Sequence, residues 1–85
     1  MAQSVFTPEY ATVVSALVDA RKAAGLTQVE LAERLEKPQS YISKIERGER
    51  RIDVLEFCAL ARAIGLKPAS LIDGIDAAIP SNFAI

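Results

Sequence analysis

The 85-residue chain is predicted to fold as an all-α domain of five short helices. Three observations predict it. Apolar residues recur at three- and four-residue intervals, the spacing of one helical face, and no run alternates as a half-buried strand would. Helix-start signals, among them two complete capping boxes, precede these runs. Single glycines and prolines separate them.

The first helix opens at Thr7 and Pro8. Thr7 is an N-cap, and Pro8 takes the first helical position, where its missing N–H leaves nothing unsatisfied. Tyr10, Val13, Val14, Leu17, Val18 and Arg21 follow at helical spacing until Gly25. "TQVE" is a capping box of Thr27 and Glu30, and Leu31, Ala32 and Leu35 form the inner stripe of the second helix. Pro38 pre-sets a third helix over Gln39–Arg47, ended by Gly48. "DVLE" is the second capping box, Asp53 with Glu56. The fourth helix is expected to turn inward Leu55, one of Cys58 and Ala59, one of Leu60 and Ala61, and Ile64, before Gly65 closes it. Pro68 starts the fifth, with Leu71, Ile72, Ile75 and Ile79 at helical intervals. Gly74 weakens its middle by about 1 kcal/mol. The tail, "PSNFAI", has no periodic signal.

Composition narrows the function. Hydrophobic residues are 51% of the chain but aromatics only 6%, which fits a small aliphatic core. A chain of this size buries only roughly 60–65% of its unfolded surface, so association is expected. The single cysteine, Cys58, cannot form an internal disulfide and reads as a small apolar residue in a reducing compartment. The start, "MAQSVFTPEY", lacks the basic and apolar regions of a signal peptide. No apolar run approaches the roughly 20 residues of a membrane span. A soluble cytoplasmic protein is expected. With no histidine there is no imidazole base and no ordinary zinc site. The glycines stand singly, so no phosphate-binding loop forms. An enzyme, a metal site and a cofactor are all unexpected.

Charge is unevenly placed. The net charge is −1, yet residues 37–51, KPQSYISKIERGERR, hold five of the ten Lys and Arg residues. Residues 1–20 and 52–85 each carry −2, while residues 21–51 set eight cations against five anions. Local field, rather than net charge, governs a docking surface.

The third helix within this basic segment has two faces. At about 100° per residue from Gln39, Ser43 falls near ~40°, Arg47 ~80°, Ser40 ~100° and Lys44 ~140°, with Ile45 at ~240° and Ile42 at ~300°. Tyr41, at ~200°, is on the border. The polar face is chemically particular. Glutamine can give a donor–acceptor pair to an adenine edge, lysine reaches guanine or phosphate, and serine adapts to either.

Residues 28–47, QVELAERLEKPQSYISKIER, resemble the helix-turn-helix of the phage-repressor/Cro (Xre-type) family. Leu31, Ala32 and Leu35 match the first motif helix, and Ile42, Ile45 and "IERG" the second. With "RKAAGLTQVELA" and "ARAIGL", the likeness covers roughly residues 10–72. It departs at the turn, where Glu36 stands at the usual glycine and Lys37 at an often apolar position; Glu36 is thus expected in the left-handed region.

The resemblance implies a compact lambda-repressor-like domain over residues 1–72, with 73–85 as a C-terminal extension, and double-stranded DNA as the partner. By position it implies that Gln39, Ser40, Ser43 and Lys44 contact base edges, and that Thr27, Gln28, Tyr41, Arg47, Arg50 and Arg51 contact phosphates. Tyr41 reads equally as an apolar flank of the core. Arg21 and Glu46 are implied to meet in a largely buried salt bridge, and Glu30 and Glu56 are read as capping groups. One recognition helix covers few base pairs, so a homodimer is expected. Leu71, Ile72, Ile75, Ile79, Phe83 and Ile85 are the apolar groups available to join it. The leading function is then a repressor on a palindromic operator. The alternatives are a restriction–modification controller-type activator, or an antitoxin whose apolar tail engages a toxin; a protein partner, toxin or polymerase, fits either.

Overall fold

The computed structural model describes residues 7–85; most of the N-terminal segment read above for a signal peptide lies outside the described residues. The helices are α1 (Pro8–Ala23), α2 (Gln28–Arg34), α3 (Gln39–Glu46), α4 (Val54–Ile64) and α5 (Pro68–Ala78), with no strand among the described residues. Their starts are the predicted ones. Thr7 Oγ1 accepts the Tyr10 N–H at 3.1 Å. In α2, Thr27 Oγ1 accepts from the Glu30 N–H at 3.0 Å while Glu30 Oε1 accepts from the Thr27 N–H at 2.9 Å. Asp53 and Glu56 reciprocate in the same way, at 2.7 and 2.9 Å, to open α4.

The ends of α2 and α3 share one hydrogen-bond pattern, in which two N–H groups beyond the helix reach back to its last turn. After α3, Gly48 and Glu49 donate to Ile45 and Lys44, with Gly48 at φ 74°. After α2, Glu36 and Lys37 donate to Glu33 and Ala32, and this places Glu36 at φ 57°. The helix-turn-helix is therefore closed by a non-glycine residue in the left-handed region, at a strain of about 1 kcal/mol.

All five helices contribute to one core: Leu17, Leu31, Ala32, Ile42, Ile45, Phe57, Leu60, Ile64 and Ile75. α2 packs on α3, and α5 closes over α1 and α4. The inner face of α4 differs from expectation. Phe57, Leu60, Ala61 and Ile64 are buried, whereas Leu55 is 79% exposed, Ala59 is exposed and Cys58 is half-buried. The run Val54–Ile64 is apolar almost all the way round, so periodicity cannot choose a face there; the neighbouring helices do.

α5 runs unbroken across residues 72 and 73, and Ile75, only 6% exposed, belongs to the core. Gly74 lies in this helix with open space where a Cβ would stand. Gly74→Ala is expected to stabilise the domain by about 0.5–1 kcal/mol through helix propensity. Thermal unfolding followed by circular dichroism should show a midpoint higher by about 4 °C. An unchanged midpoint would mean that α5 contributes little to the cooperative unit.

Candidate nucleic-acid interface

α3 divides as its sequence does. Ile42 and Ile45 are 1% and 2% exposed beneath it, while Gln39, Ser40, Lys44 and Arg47 are exposed on the opposite side. Ser43 is half-buried, and its hydroxyl donates to the Ser40 carbonyl at 3.3 Å. The turn after α2 packs α3 against α2, with its polar strip outward.

Behind that strip runs a chain of polar contacts from the core to the surface. Arg21 Nε donates to Glu46 Oε2 at 2.7 Å and Arg21 Nη2 to Glu46 Oε1 at 3.0 Å, with both side chains about nine-tenths buried. Arg21 Nη1 also donates to the Leu26 carbonyl at 2.7 Å. Gln28 Nε2 donates to Glu46 Oε1 at 2.8 Å, and Gln28 Oε1 accepts from Gln39 Nε2 at 3.2 Å. The buried ion pair thus orients Gln28, and Gln28 orients Gln39. That bond uses one N–H of the Gln39 amide and leaves its second N–H and its carbonyl oxygen outside this chain of bonds. The family resemblance implied a phosphate contact for Gln28; the fold makes it the prop of a neighbouring side chain. Thr27 is exposed, with its hydroxyl engaged in the capping box.

The cations beyond α3 are held by their own neighbours. Arg47 makes a two-bond contact with Glu49, at 2.9 and 3.1 Å, with both side chains 55% exposed. Arg50 Nη2 lies 2.8 Å from Glu56 Oε2, and its guanidinium stands 5.0 Å from the centre of the Tyr41 ring. Arg51 lies 4.5 Å from the Tyr10 ring. The Tyr41 hydroxyl donates to Glu56 Oε2 at 2.9 Å, so Tyr41 is both a flank of the core and a directed donor, turned inward. Burial, then the Glu56 carboxylate, push this hydroxyl's pKa up, which keeps it protonated. Lys37, a residue without a role in the sequence reading, lies 5.3 Å from the same ring. Lys37 precedes α3, so no helical spacing signals this contact.

Glu56 gathers these contacts. The Arg50 guanidinium first, then the Asp53 N–H and the Tyr41 hydroxyl, hold its carboxyl down from 4.5 to about 2. A carboxylate with a depressed folded pKa adds stability that is complete above the unfolded value of 4.5 and is lost as pH falls toward 2. The Arg50 side chain is 42% exposed, so solvent screening reduces the contribution to on the order of 1 kcal/mol. Urea midpoints of the parent should fall over this acid window by more than those of Glu56→Gln, which keeps the capping box. Equal acid sensitivity of the two would remove Glu56 as the cause.

The apolar residues expected at an interface divide three ways. Ile72, Phe83 and Ile85 are exposed, Leu71 and Ile79 are half-buried against the core, and Ile75 is buried in it. Ile75 is thus committed to the fold. Phe83, Ile85 and Ile79 share a groove of about 500 Å³ with Tyr10, Val13 and Arg51. Among the described residues no helix is long and apolar enough to cross a membrane.

Comparison with known proteins agrees with this geometry. The helix-turn-helix family model matches residues 17–71. An HTH-type transcriptional regulator of Sinorhizobium fredii, y4dJ, is 38% identical over 56 residues, covering 66% of this chain and 73% of its own. The structure of an XRE-family like protein from Pseudomonas syringae superposes with a TM-score of 0.80 at 47% identity, over 85% of this chain and 88% of that one. The restriction–modification controller protein C.AhdI of Aeromonas hydrophila superposes at 0.69 with 29% identity, over 76% of this chain and 98% of its own. A matched family over most of the chain, an all-α fold and a buried pair that props the outer helix make one assignment: the chain belongs to the Xre-type helix-turn-helix family of transcriptional regulators, which are not enzymes.

Proposed function

We propose that the protein is a homodimeric, sequence-specific repressor that lays α3 in the major groove of a palindromic operator in the cytoplasm. The presentation of Gln39 carries this reading. An exposed amide fixed through Gln28 to a buried ion pair is pre-ordered for a donor–acceptor pair with an adenine edge. Ser40, Ser43 and Lys44 extend the base-reading strip. Thr27 and Gln28 at the start of α2, with Arg47, Arg50 and Arg51 past α3, grip the backbone. The exposed ion pair of Arg47 is weak enough to be exchanged for phosphate, and Arg50 keeps donors beyond its bond to Glu56. Replacement of Arg50 and Arg51 therefore weakens every sequence alike.

Dimerisation uses the exposed side of α5 and the tail, through Ile72, Phe83 and Ile85 with Leu71 and Ile79 at their margin. A two-fold axis there sets the two recognition helices about 34 Å apart. If each subunit neutralises three or four phosphates, the log–log salt slope is roughly −5 to −7.

The test is enrichment of bound duplexes from a random pool. A motif of two inverted half-sites, one helical turn apart, is the expected result. Recovery of no motif, or of a single unpaired half-site, would refute the dimeric reader. A second reading, a controller-type activator, is favoured by the likeness to C.AhdI. It shares the docking and differs in sign. Transcription from a promoter carrying the recovered motif, measured with and without the protein, separates the two.

A further inference from the structure

On one flank of α3, away from Gln39, lies a depression of about 280 Å³ bounded by Lys37, Pro38, Ser40, Tyr41, Lys44 and Arg50. Three of its six lining residues are cations, and none is an anion. Two of these cations, Lys37 and Arg50, lie 5.3 and 5.0 Å from the centre of the Tyr41 ring. The ring cannot swing away, because its hydroxyl is donated to Glu56 at 2.9 Å. Arg50 is pinned as well, by Glu56 at 2.8 Å and by the Arg51 carbonyl at 3.1 Å. Those two bonds use part of its five-donor fork and leave the rest available. Glu56 offsets one charge of the three, so the depression keeps an excess of positive charge.

We infer that this depression seats one backbone phosphate of duplex DNA, held jointly by Lys37, Lys44 and Arg50. The inference rests on the DNA-binding reading and deepens it. It makes Lys37, at the turn, a contact residue, and turns Lys44 from a base reader toward the backbone. Flexible lysines ordinarily lose rotamer freedom when they grip an anion. Here Arg50 and the Tyr41 ring are ordered beforehand, so the loss is confined to the two lysines. The wheel positions agree: Ser40, Lys44 and Tyr41 occupy one edge of the α3 strip, while Gln39 and Ser43 occupy the other. A phosphate on the first edge leaves the second free to face base pairs.

The shared seat has a numerical signature. Cations on separate phosphates each remove about 0.9 from the salt slope when neutralised, whereas cations on one phosphate remove it only once. The probe is a random-sequence duplex of about 30 base pairs, titrated over a range of salt with the full-length protein. Lys37→Gln and Arg50→Gln are each expected to weaken binding about three- to tenfold at 0.1 M salt, and the triple variant that also carries Lys44→Gln to shorten the slope by about 1 per subunit, about 2 for the homodimer. Lys67→Gln, on the exposed start of α5, should leave binding unchanged. A slope loss of about 5 in the triple variant would put the three cations on different phosphates in each subunit and overturn the seat. So would equal weakening by Lys67→Gln, which would mark a net-charge effect, or no weakening by Lys37→Gln. Failure of the parent itself to bind the duplex with salt dependence would instead bring down the DNA-binding reading, and the seat with it.

Discussion

Arg21→Met is expected to cost the domain about 3–5 kcal/mol, because it leaves the Glu46 carboxylate buried with only Gln28 as a partner. It also frees the Leu26 carbonyl, which closes the turn after α1. A domain of this length has roughly 4–13 kcal/mol in total, so the loss is a large share of it. The thermal midpoint should fall by about 15–30 °C. Coulomb attraction in a site nine-tenths buried is opposed by the desolvation of both ions, so the pair adds little net stability while intact. Removing one member is what exposes the cost. The control is Arg21→Met with Glu46→Leu, which removes both charges and should recover most of the loss. If the single variant unfolded within ~1 kcal/mol of the parent, the pair would be solvated rather than buried in the working protein. The double variant carries a second expectation. It restores the core but deprives Gln28 of its acceptor, so folding should return while base preference does not.

Gln39→Ala is expected to erase base preference at one position of each half-site, at about 1–3 kcal/mol per half-site, with little change toward random duplex. The Gln39 amide gives one N–H to Gln28 and keeps a donor and an acceptor on the same planar group. That arrangement matches the paired acceptor and donor of an adenine in the major groove. Alanine retains the helix and removes both. Affinities for the recovered motif and its single-base variants, compared between parent and Gln39→Ala, measure the effect directly. Gln28→Ala should give a weaker version of the same change, since Gln39 remains but is no longer held. Identical base preference in parent and Gln39→Ala at every position would remove this residue from the reading surface. Loss of affinity for all duplexes equally would make it a backbone contact instead.

The two results address different layers of one structure. Stability belongs to the buried end of the polar chain and selectivity to its exposed end, with Gln28 coupling them. An 85-residue chain has little core to spare for polar groups. Placing a charged pair there is understandable if it fixes the reading helix, since a loosely held recognition residue discriminates poorly.

The sequence by itself determined the helix starts and the two faces of α3, and family likeness added the left-handed Glu36. Each of these depends on groups within a turn or two of one another: a hydroxyl and the N–H three residues on, a carbonyl and the N–H five residues on, or a repeat of 3.6. Local backbone geometry brings such groups together whatever the rest of the chain does. Family likeness supplied the Arg21–Glu46 pair, which local rules could not. Only the tertiary structure decided which side of α4 is buried, that Ile75 belongs to the core, that Tyr41 and Arg50 share Glu56, and that Gln28 faces both Glu46 and Gln39. These depend on how residues far apart in the chain are stacked. An all-round apolar helix such as α4 offers several faces of nearly equal hydrophobicity, and a glutamine or arginine several partners within reach, so the packing of neighbouring helices makes the choice.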